Sequence, residues 1–166
     1  MLEHLNIKNL VVVEELNMEF KFGMTVITGE TGAGKSILVQ ALNIVSGGRS
    51  DASLVRNGMA KAEITASFNI LSNIKLKLYL EDQDLENDNE CILRRVIASD
   101  GKSRSYVNGR KVPLSVLSDI GSYLIDMHGQ NEHQLLLRNS HHQILLDDFS
   151  GSQALCDEVN VAYGNY

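Results

Sequence analysis

Gly29-Glu30-Thr31-Gly32-Ala33-Gly34-Lys35-Ser36 is the stretch that decides the fold of this 166-residue chain. It satisfies the pattern G-x-x-x-x-G-K-[ST] of a phosphate-binding loop, or P-loop. Glycines let the backbone wrap closely around phosphate, so that successive N–H groups and the start of the following helix face negative charge. In such a loop Lys35 neutralises the terminal phosphates and the Ser36 hydroxyl ligates Mg²⁺. All eight residues are therefore predicted to bind ATP with magnesium.

The residues on both sides of the P-loop supply the context that the motif needs. Thr25 to Thr28 is β-branched throughout and is predicted to form a buried strand that feeds the loop. Beyond the loop, apolar residues recur at helical spacing until Gly47-Gly48, where a left-handed cap is expected to end the helix. These apolar residues are Leu38, Ala41, Leu42 and Val45. Strand, Gly-rich loop and helix in this order predict an α/β fold of the P-loop NTPase class.

The first 90 residues contain two further strand patterns. Apolar and polar residues alternate on both sides of the short apolar stretch 10–13, which predicts a hairpin with its turn there. The same alternation over 64–70 predicts a half-buried strand. The polar stretch 72–90 is predicted to hold a helix and a mobile loop.

Turn signals dominate the region after residue 90. Asp100-Gly101 and Asn108-Gly109 can each supply the positive φ angles of a tight turn, so an antiparallel meander is predicted around them. Pro113 is expected to open a short helix that Gly121 closes. Residues 123–127 are then predicted to form another buried strand.

Bulk composition bounds the possible functions. With 43% hydrophobic residues the chain can close one core, and a net charge of -6 argues against general binding of polyanions. Cys91 and Cys156 lie far apart without a CxxC pattern, so neither a disulfide framework nor a zinc site is indicated. No signal peptide or membrane span is predicted, and a cytoplasmic location is expected.

Five stretches carry a resemblance to a known family, and together they cover most of the chain. They are LNIKNLVVVEELNMEF (5–20), ITGETGAGKSILVQAL (27–42), GGRSDASLVRNG (47–58), LRRVIASDGKSRSYVNGRKV (93–112) and LIDMHGQNEHQLLL (124–137). These stretches resemble the RecN family of bacterial DNA repair proteins, which belongs to the SMC-like branch of ABC ATPases. In that branch a long antiparallel coiled coil separates an N-terminal half-head from a C-terminal half-head.

The resemblance implies an architecture. Residues 1–150 would form the N-terminal ATPase half-head, with a mixed sheet and an antiparallel β lobe, and residues 151–166 would begin the coiled coil. An amphipathic helix fits the latter segment, because apolar residues recur in it with polar residues between. These apolar residues are Leu155, Val159, Ala162 and Tyr166.

The resemblance also implies roles for residues outside the P-loop. Gln130 would be the Q-loop glutamine, which completes magnesium coordination beside Ser36 and positions the attacking water. Together with Lys35, Arg56 would act on the transferred phosphate, although Arg49 is a neighbouring candidate for that contact. From the residues alone, an ordinary loop amide is the favoured interpretation of Gln130, and a solvated surface arginine fits Arg56 at least as well.

Two further features stay open at this stage. Lys8 and Asn9 lie where family members touch the adenine side of the nucleotide, but a plain strand-edge position fits them as well. The meander is locally basic, which suits either a solvated hairpin face or a contact to the DNA backbone. Its basic residues are Arg94, Arg95, Lys102, Arg104, Arg110 and Lys111.

The predicted function is the ATP-binding part of a DNA double-strand break repair and recombination ATPase. The full protein would hydrolyse ATP when two heads dimerise, and its partners would be DNA, the C-terminal half-head and a second copy, without a membrane. The chain lacks the catalytic glutamate, LSGG-type signature and switch histidine of such heads, so it is expected to bind ATP without turnover. The alternatives are an ABC transporter ATPase subunit, a small P-loop kinase and a non-enzymatic tethering module. A nucleoid-associated location in the cytoplasm follows from the predicted function.

Overall fold

A computed structural model describes residues 1–29, 33–127, 146, 149–150 and 152–164. The chain divides into two compact units, Met1–Asp126 and Met127–Tyr166. Each unit is described by itself.

The first unit is built on a six-stranded sheet with strand order β2-β1-β3-β4-β5-β6. Every neighbouring pair in it is antiparallel. This sheet confirms the hairpin, the strand around 64–70 and the meander that the sequence predicts. The strands are β1 Leu2–Leu10, β2 Val13–Glu19, β3 Lys61–Asn69, β4 Glu90–Ala98, β5 Ser103–Val107 and β6 Arg110–Val112.

The tight turn between β5 and β6 shows why the meander is readable from sequence. Asn108 and Gly109 have φ angles of 48° and 79°, the left-handed values that a two-residue hairpin turn requires. The Asn108 side chain also accepts a hydrogen bond from the Ile92 N–H at 2.7 Å and donates one to the Leu85 carbonyl at 2.6 Å. Asn108 therefore fixes the turn and ties it to the neighbouring strand and loop.

Three α-helices accompany the sheet: α1 Ala33–Val45, α2 Ile74–Asp82 and α3 Leu114–Leu124. A short 3₁₀ helix spans Ala52–Leu54. Helices α1 and α3 pack against the same face of the sheet, here called the core face. Burying each aliphatic side chain there contributes about 1.5–3 kcal/mol. The core includes Leu5, Ile7, Ile37, Ala41, Ile44, Ile64, Ala66, Leu93, Ile97, Leu117 and Ile120.

The opposite face, here called the outer face, carries the residues that alternate with these core positions. Strand pairing aligns them in rows across the sheet. They are mostly polar and only partly buried, as expected for an antiparallel sheet that faces water on one side. One row runs through Asn6, Thr65, Arg94, Tyr106 and Lys111.

One charged residue of the meander occupies a core position. Arg95 is 2% exposed and lies between Leu93 and Ile97 on the core face of β4. Its guanidinium donates hydrogen bonds to three hydroxyls, those of Ser105 at 2.7 Å, Ser103 at 2.9 Å and Ser50 at 3.3 Å. Arg95 therefore does not belong to a solvated basic face, and it ties the segment after α1 to β5.

The predicted helix end at Gly121 is wrong, because α3 continues to Leu124. A Cβ atom at Gly121 would lie 2.2 Å from the Ser46 carbonyl oxygen just beyond α1. At Gly47, with a φ of 108°, a Cβ would lie 2.6 Å from the Ser118 Cα. The two glycines therefore let the end of α1 approach α3 closely, and Gly121 is a packing residue rather than a helix terminator.

Two predicted strands are absent from the described part of the chain. Residues 25–28 belong to no strand, and Val26 is 73% exposed. Their β-branched composition favours extended backbone, but a buried strand of this type needs parallel neighbours, and the described sheet is antiparallel throughout rather than mixed. In the 123–127 stretch, Tyr123 and Leu124 end α3, and the Ile125 N–H caps that helix on the Gly121 carbonyl.

The described part of the second unit includes one helix, α4, which spans Gln153–Gly164. This confirms the helix predicted near the end of the chain. Its apolar residues Leu155 and Val159 are 62% and 66% exposed. Among the described residues of both units, no helix is long and apolar enough to cross a membrane.

Candidate nucleotide-binding site

The P-loop leads directly into α1. The helix begins at Ala33, so Gly34, Lys35 and Ser36 lie in its first turn. The first N–H groups of a helix have no partner within the helix and carry the positive end of its dipole, which favours a bound anion. The Ser36 side chain is exposed. The start of α1 therefore presents backbone donors, a cation and a hydroxyl together.

Four residues predicted for the site lie outside the described residues: Glu30, Thr31, Gly32 and Gln130. The predicted site residues that the structure describes are Gly29, Ala33, Gly34, Lys35, Ser36 and Arg56.

Lys35 connects the two ends of the loop. Its Nζ donates a hydrogen bond to the carbonyl oxygen of Gly29, which lies six positions earlier in the chain. A carbonyl oxygen is a neutral acceptor, whereas phosphate oxygens are charged and form stronger hydrogen bonds to an ammonium group. The contact places the Lys35 ammonium at the loop, where a phosphate can replace the carbonyl.

A cavity of about 560 Å³ opens at this loop, within the volume range of small-molecule sites. Three segments form its wall: β2, the extended residues 27–29 and the start of α1. A Cβ atom added at Gly29 or Gly34 would meet nothing within 4 Å, so space for a ligand remains beside both glycines. The lining residues are Val13, Glu14, Glu15, Leu16, Met18, Ile27, Thr28, Gly29, Gly34, Lys35 and Leu38.

The contribution of β2 to the cavity was not anticipated from sequence. The pattern of β2 indicates a strand, but only the assembled sheet shows that its residues stand beside the P-loop. Leu16 and Met18 are partly buried and alternate along β2. That alternation was the available signal, because partly buried apolar residues at the edge of a sheet suit the wall of a cleft.

The two acidic residues of the cavity wall are paired with cations. Glu15 lies 3.1 Å from the Lys8 ammonium. Hydrogen bonds from the Lys8 and Asn17 side chains lower the pKa of the Glu15 carboxyl. Glu14 lies 3.4 Å from the guanidinium of Arg56. These cations reduce the repulsion that the two carboxylates would exert on a bound polyphosphate.

Arg56 lies at the turn between β1 and β2. Its backbone N–H donates to the Asn9 carbonyl at 2.9 Å, and its guanidinium donates to the Val12 carbonyl at 3.3 Å. Through Glu14 it reaches the wall of the cavity that Lys35 lines. The structure therefore brings Arg56 to the side of the site, in contact with a lining residue rather than with the described P-loop residues.

Lys8 and Asn9 line a separate cavity of about 530 Å³, together with Asn6, Lys61, Glu63 and Thr65. This cavity contains none of the described P-loop residues. The cavity at Lys35 is the better nucleotide candidate, because it combines the cation, the helix start and an apolar wall. Within the described part of the chain, Lys8 contacts the lining of this cavity through its ion pair with Glu15.

Comparison with known proteins adds family evidence. Residues 4–155 match the family model described as AAA domain. The DNA repair protein RecN of Vibrio cholerae is 45% identical over 166 residues, which is 100% of this chain and 30% of that protein. The DNA repair protein RecN of Bacillus subtilis is 42% identical over 154 residues, which is 92% of this chain and 27% of that protein. The chain thus spans less than a third of the length of these relatives.

Solved structures are similar in fold. The Smc head domain with an extended coiled coil from Pyrococcus furiosus aligns with a TM-score of 0.66 and 24% identity, covering 99% of this chain and 47% of that chain. The SmcHead bound to the C-winged helix domain of ScpA aligns with a TM-score of 0.65 and 26% identity, covering 90% and 51%. These alignments support the SMC-like P-loop half-head that the sequence predicts.

Proposed function

The chain belongs to the AAA domain family, and from this premise we propose that it is the ATP-binding N-terminal part of a RecN-like DNA repair and recombination ATPase. The observation that carries the proposal is the P-loop motif of the sequence, whose described residues Gly29, Gly34 and Lys35 line a cavity of about 560 Å³ at the start of α1. The relatives named DNA repair protein RecN match the chain along its whole length. This match disfavours the ABC transporter subunit as an alternative.

The proposed binding mode assigns a task to each described residue of the loop. Lys35 exchanges the Gly29 carbonyl for the terminal phosphates of ATP, and the first N–H groups of α1 face the same phosphates. The Ser36 hydroxyl is an oxygen ligand of the kind that Mg²⁺ prefers. Bound magnesium neutralises the phosphate charge. The apolar wall of Leu16 and Met18 excludes water from the rest of the nucleotide.

Two residues complete the proposed site. The Gln130 amide oxygen adds a second protein ligand for magnesium and orients the attacking water, as the family resemblance implies. Arg56, which pairs with Glu14 on the cavity wall, would contact the γ-phosphate, where a guanidinium stabilises the charge that develops during transfer. Both assignments apply to the full protein, in which residues 1–150 would form the N-terminal half-head and residues 151–166 the start of a coiled coil.

We also propose three partners for this part of the protein: the C-terminal half-head, a second copy of the head, and DNA. Phe22, Met24 and Val26 lie in the segment between β2 and the P-loop and are 96%, 92% and 73% exposed. Exposed apolar residues that pair with no strand of the described sheet suit burial by another part of the protein. The C-terminal half-head would be that part. A homodimer of heads would then close on ATP, and DNA would be the substrate of the full protein in the cytoplasm.

Calorimetric titration with Mg-ATP tests the binding site. We expect Lys35→Ala to abolish binding and Gln130→Ala to weaken it. Lys102→Ala, which removes the same charge at a distant hairpin, should leave binding unchanged. No sample should hydrolyse ATP above the buffer rate, because the family resemblance places the catalytic glutamate and the signature loop in the C-terminal half-head. Turnover that disappears with Lys35→Ala would instead identify a self-sufficient P-loop enzyme.

A further inference from the structure

The basic residues of the meander differ in what they contact. Arg95 is buried on the core face. Lys102 pairs with Asp100 at 3.0 Å, and Arg110 donates to the backbone carbonyl of Asp84. Three cations are left on the outer face of β4, β5 and β6, namely Arg94, Arg104 and Lys111.

Arg104 and Lys111 make no ion pair within the described ranges, and both are exposed. Arg94 is partly neutralised, since its Nε lies 2.8 Å from a Glu63 carboxylate oxygen. Lys61 shares that carboxylate at 3.3 Å. This end of the outer face therefore carries excess positive charge on a chain whose total charge is -6.

An aromatic ring stands at the centre of these cations. Tyr106 pairs with Arg94 on one side and with Lys111 on the other. The Arg94 guanidinium carbon lies 5.0 Å from the ring centroid, a cation–π distance. Arg104 is two residues away on the same face of β5, about 7 Å along the strand. Tyr106 is only partly buried, so part of this residue remains exposed to solvent.

A shallow depression adjoins the same cations. Its volume is about 260 Å³, and it is lined by Ala60, Lys61, Val96, Ala98, Asp100, Lys102 and Arg104. Apolar groups, three cations and the Asp100 carboxylate, which is paired with Lys102, thus line one depression next to the row that contains Tyr106.

We propose that the outer face of β4, β5 and β6 binds a single strand of nucleic acid, with one base stacked on Tyr106 and phosphates held by Arg104 and Lys111. Aromatic rings interleaved with unpaired cations on an open sheet recognise unpaired bases and the backbone between them. A duplex would offer Tyr106 no base face for stacking, since its bases are stacked on one another. The inference rests on the DNA role proposed above and locates a contact surface for it on this chain.

The test measures fluorescence anisotropy of labelled oligo-dT of about 15 nucleotides, near the upper site size of a small sheet-based module. Tyr106→Ala should weaken binding about 5- to 150-fold, the effect of losing one base–aromatic stack. Tyr106→Phe keeps the ring and should retain binding. Heparin, a polyanion without bases, should bind the wild type and Tyr106→Ala equally.

The proposed phosphate contacts of Arg104 and Lys111 are tested by the salt dependence of oligo-dT binding. The double variant Arg104→Ala/Lys111→Ala should lower the slope of log affinity against log salt by about 1.4, at about 0.7 for each contact to a single strand. Lys21→Ala removes one charge at the opposite edge of the sheet and should leave the slope unchanged. An oligo-rU of the same length shows whether the sugar matters, and a duplex should bind more weakly than oligo-dT.

Each outcome bears on the inference. Oligo-dT binding that is indifferent to Tyr106→Ala, or a salt slope that the double variant does not change, would overturn it. A wild-type chain that ignores oligo-dT overturns it as well. Mg-ATP titration of the same samples separates this result from the proposed nucleotide site, because the Tyr106 variants should bind ATP normally and Lys35→Ala should bind oligo-dT normally. Circular dichroism melts confirm that the Tyr106 variants fold.

Discussion

Replacing Arg95 by alanine should destabilise the first unit far more than replacing its neighbour Arg94. Both arginines lie on β4, but they point to opposite faces of the sheet. Arg95 is 2% exposed, whereas the Arg94 side chain is 41% exposed and pairs with Glu63. Burial lowers the pKa of the Arg95 guanidinium, which still stays charged because the ordinary pKa of arginine lies far above neutral.

The expected magnitude follows from what Arg95→Ala leaves behind. The Ser105 hydroxyl is buried and loses its 2.7 Å donor, and an unsatisfied buried polar group costs about 1–3 kcal/mol. Truncating a large buried side chain also leaves a cavity, which costs about 2–5 kcal/mol at apolar sites. Removing a desolvated charge offsets part of this cost. The net loss in free energy of unfolding should be about 3 kcal/mol.

Urea denaturation followed by far-ultraviolet circular dichroism measures this difference. Arg94→Ala should cost only about 0–1 kcal/mol, as is typical for exposed ion pairs. Arg95→Met fills part of the cavity with an uncharged side chain, so it should recover about half of the free energy of unfolding that Arg95→Ala loses. The reasoning is refuted if Arg95→Ala costs less than about 1 kcal/mol, or if Arg94→Ala costs as much as Arg95→Ala.

Three further predictions concern a thiol, a helix contact and an ion pair. Burial raises the pKa of Cys91 to about 12, so at pH 8 about one thiol in ten thousand is ionised, and iodoacetamide should label Cys156 first in the folded chain. Gly121→Ala should lower the free energy of unfolding by about 1–2 kcal/mol, because overpacking outweighs the gain in helix propensity. The hydrogen bond from Lys8 lowers the pKa of Glu15. That ion pair should therefore stabilise the fold above pH 4.5 and lose its contribution as pH falls.

Each of these three predictions has a direct check. Mass spectrometry should find Cys91 alkylated only after urea is added, and equal labelling of both thiols in the folded chain would contradict its burial. Ser122→Ala, an exposed change in the same helix, should alter stability by less than about 0.5 kcal/mol. A Gly121→Ala variant as stable as Ser122→Ala would argue against the close contact. Glu15→Gln should reduce the loss in free energy of unfolding that the wild type shows as pH falls below 4.5. An unchanged dependence on pH would show that the Lys8–Glu15 pair contributes nothing.

The parts of the fold that the sequence predicts are those set by local rules. The Asn108-Gly109 turn needs left-handed backbone, which these two residue types adopt at low cost, and the meander follows from it. The helix after the P-loop shows its 3.6-residue period directly. The motif itself predicts Lys35 and Ser36, because a phosphate loop needs particular residues at fixed spacing.

The predictions that were wrong concern features that depend on residues far away in the sequence. Residues 25–28 have strand propensity, but whether they form a strand depends on neighbours that propensity does not supply. Gly121 reads as a helix terminator from its neighbours alone, and only the approach of the Ser46 carbonyl shows its packing role. Arg95 was grouped with the basic surface. Its place in the alternation Cys91, Leu93, Arg95, Ile97 was the signal that it faces the core.

The close contact at Gly47 and Gly121 between the end of α1 and α3 also fixes the position of α1, the helix that carries Lys35 and Ser36. Helix α1 starts at the phosphate loop, and α3 ends six residues before Gln130. At Gly47 and Gly121 the two helices meet with backbone against backbone, where no side-chain rotamer is available to absorb a shift. The contact between α1 and α3 is therefore expected to keep the distance between the two helices nearly constant. A displacement of α1 along its axis would therefore be passed to α3.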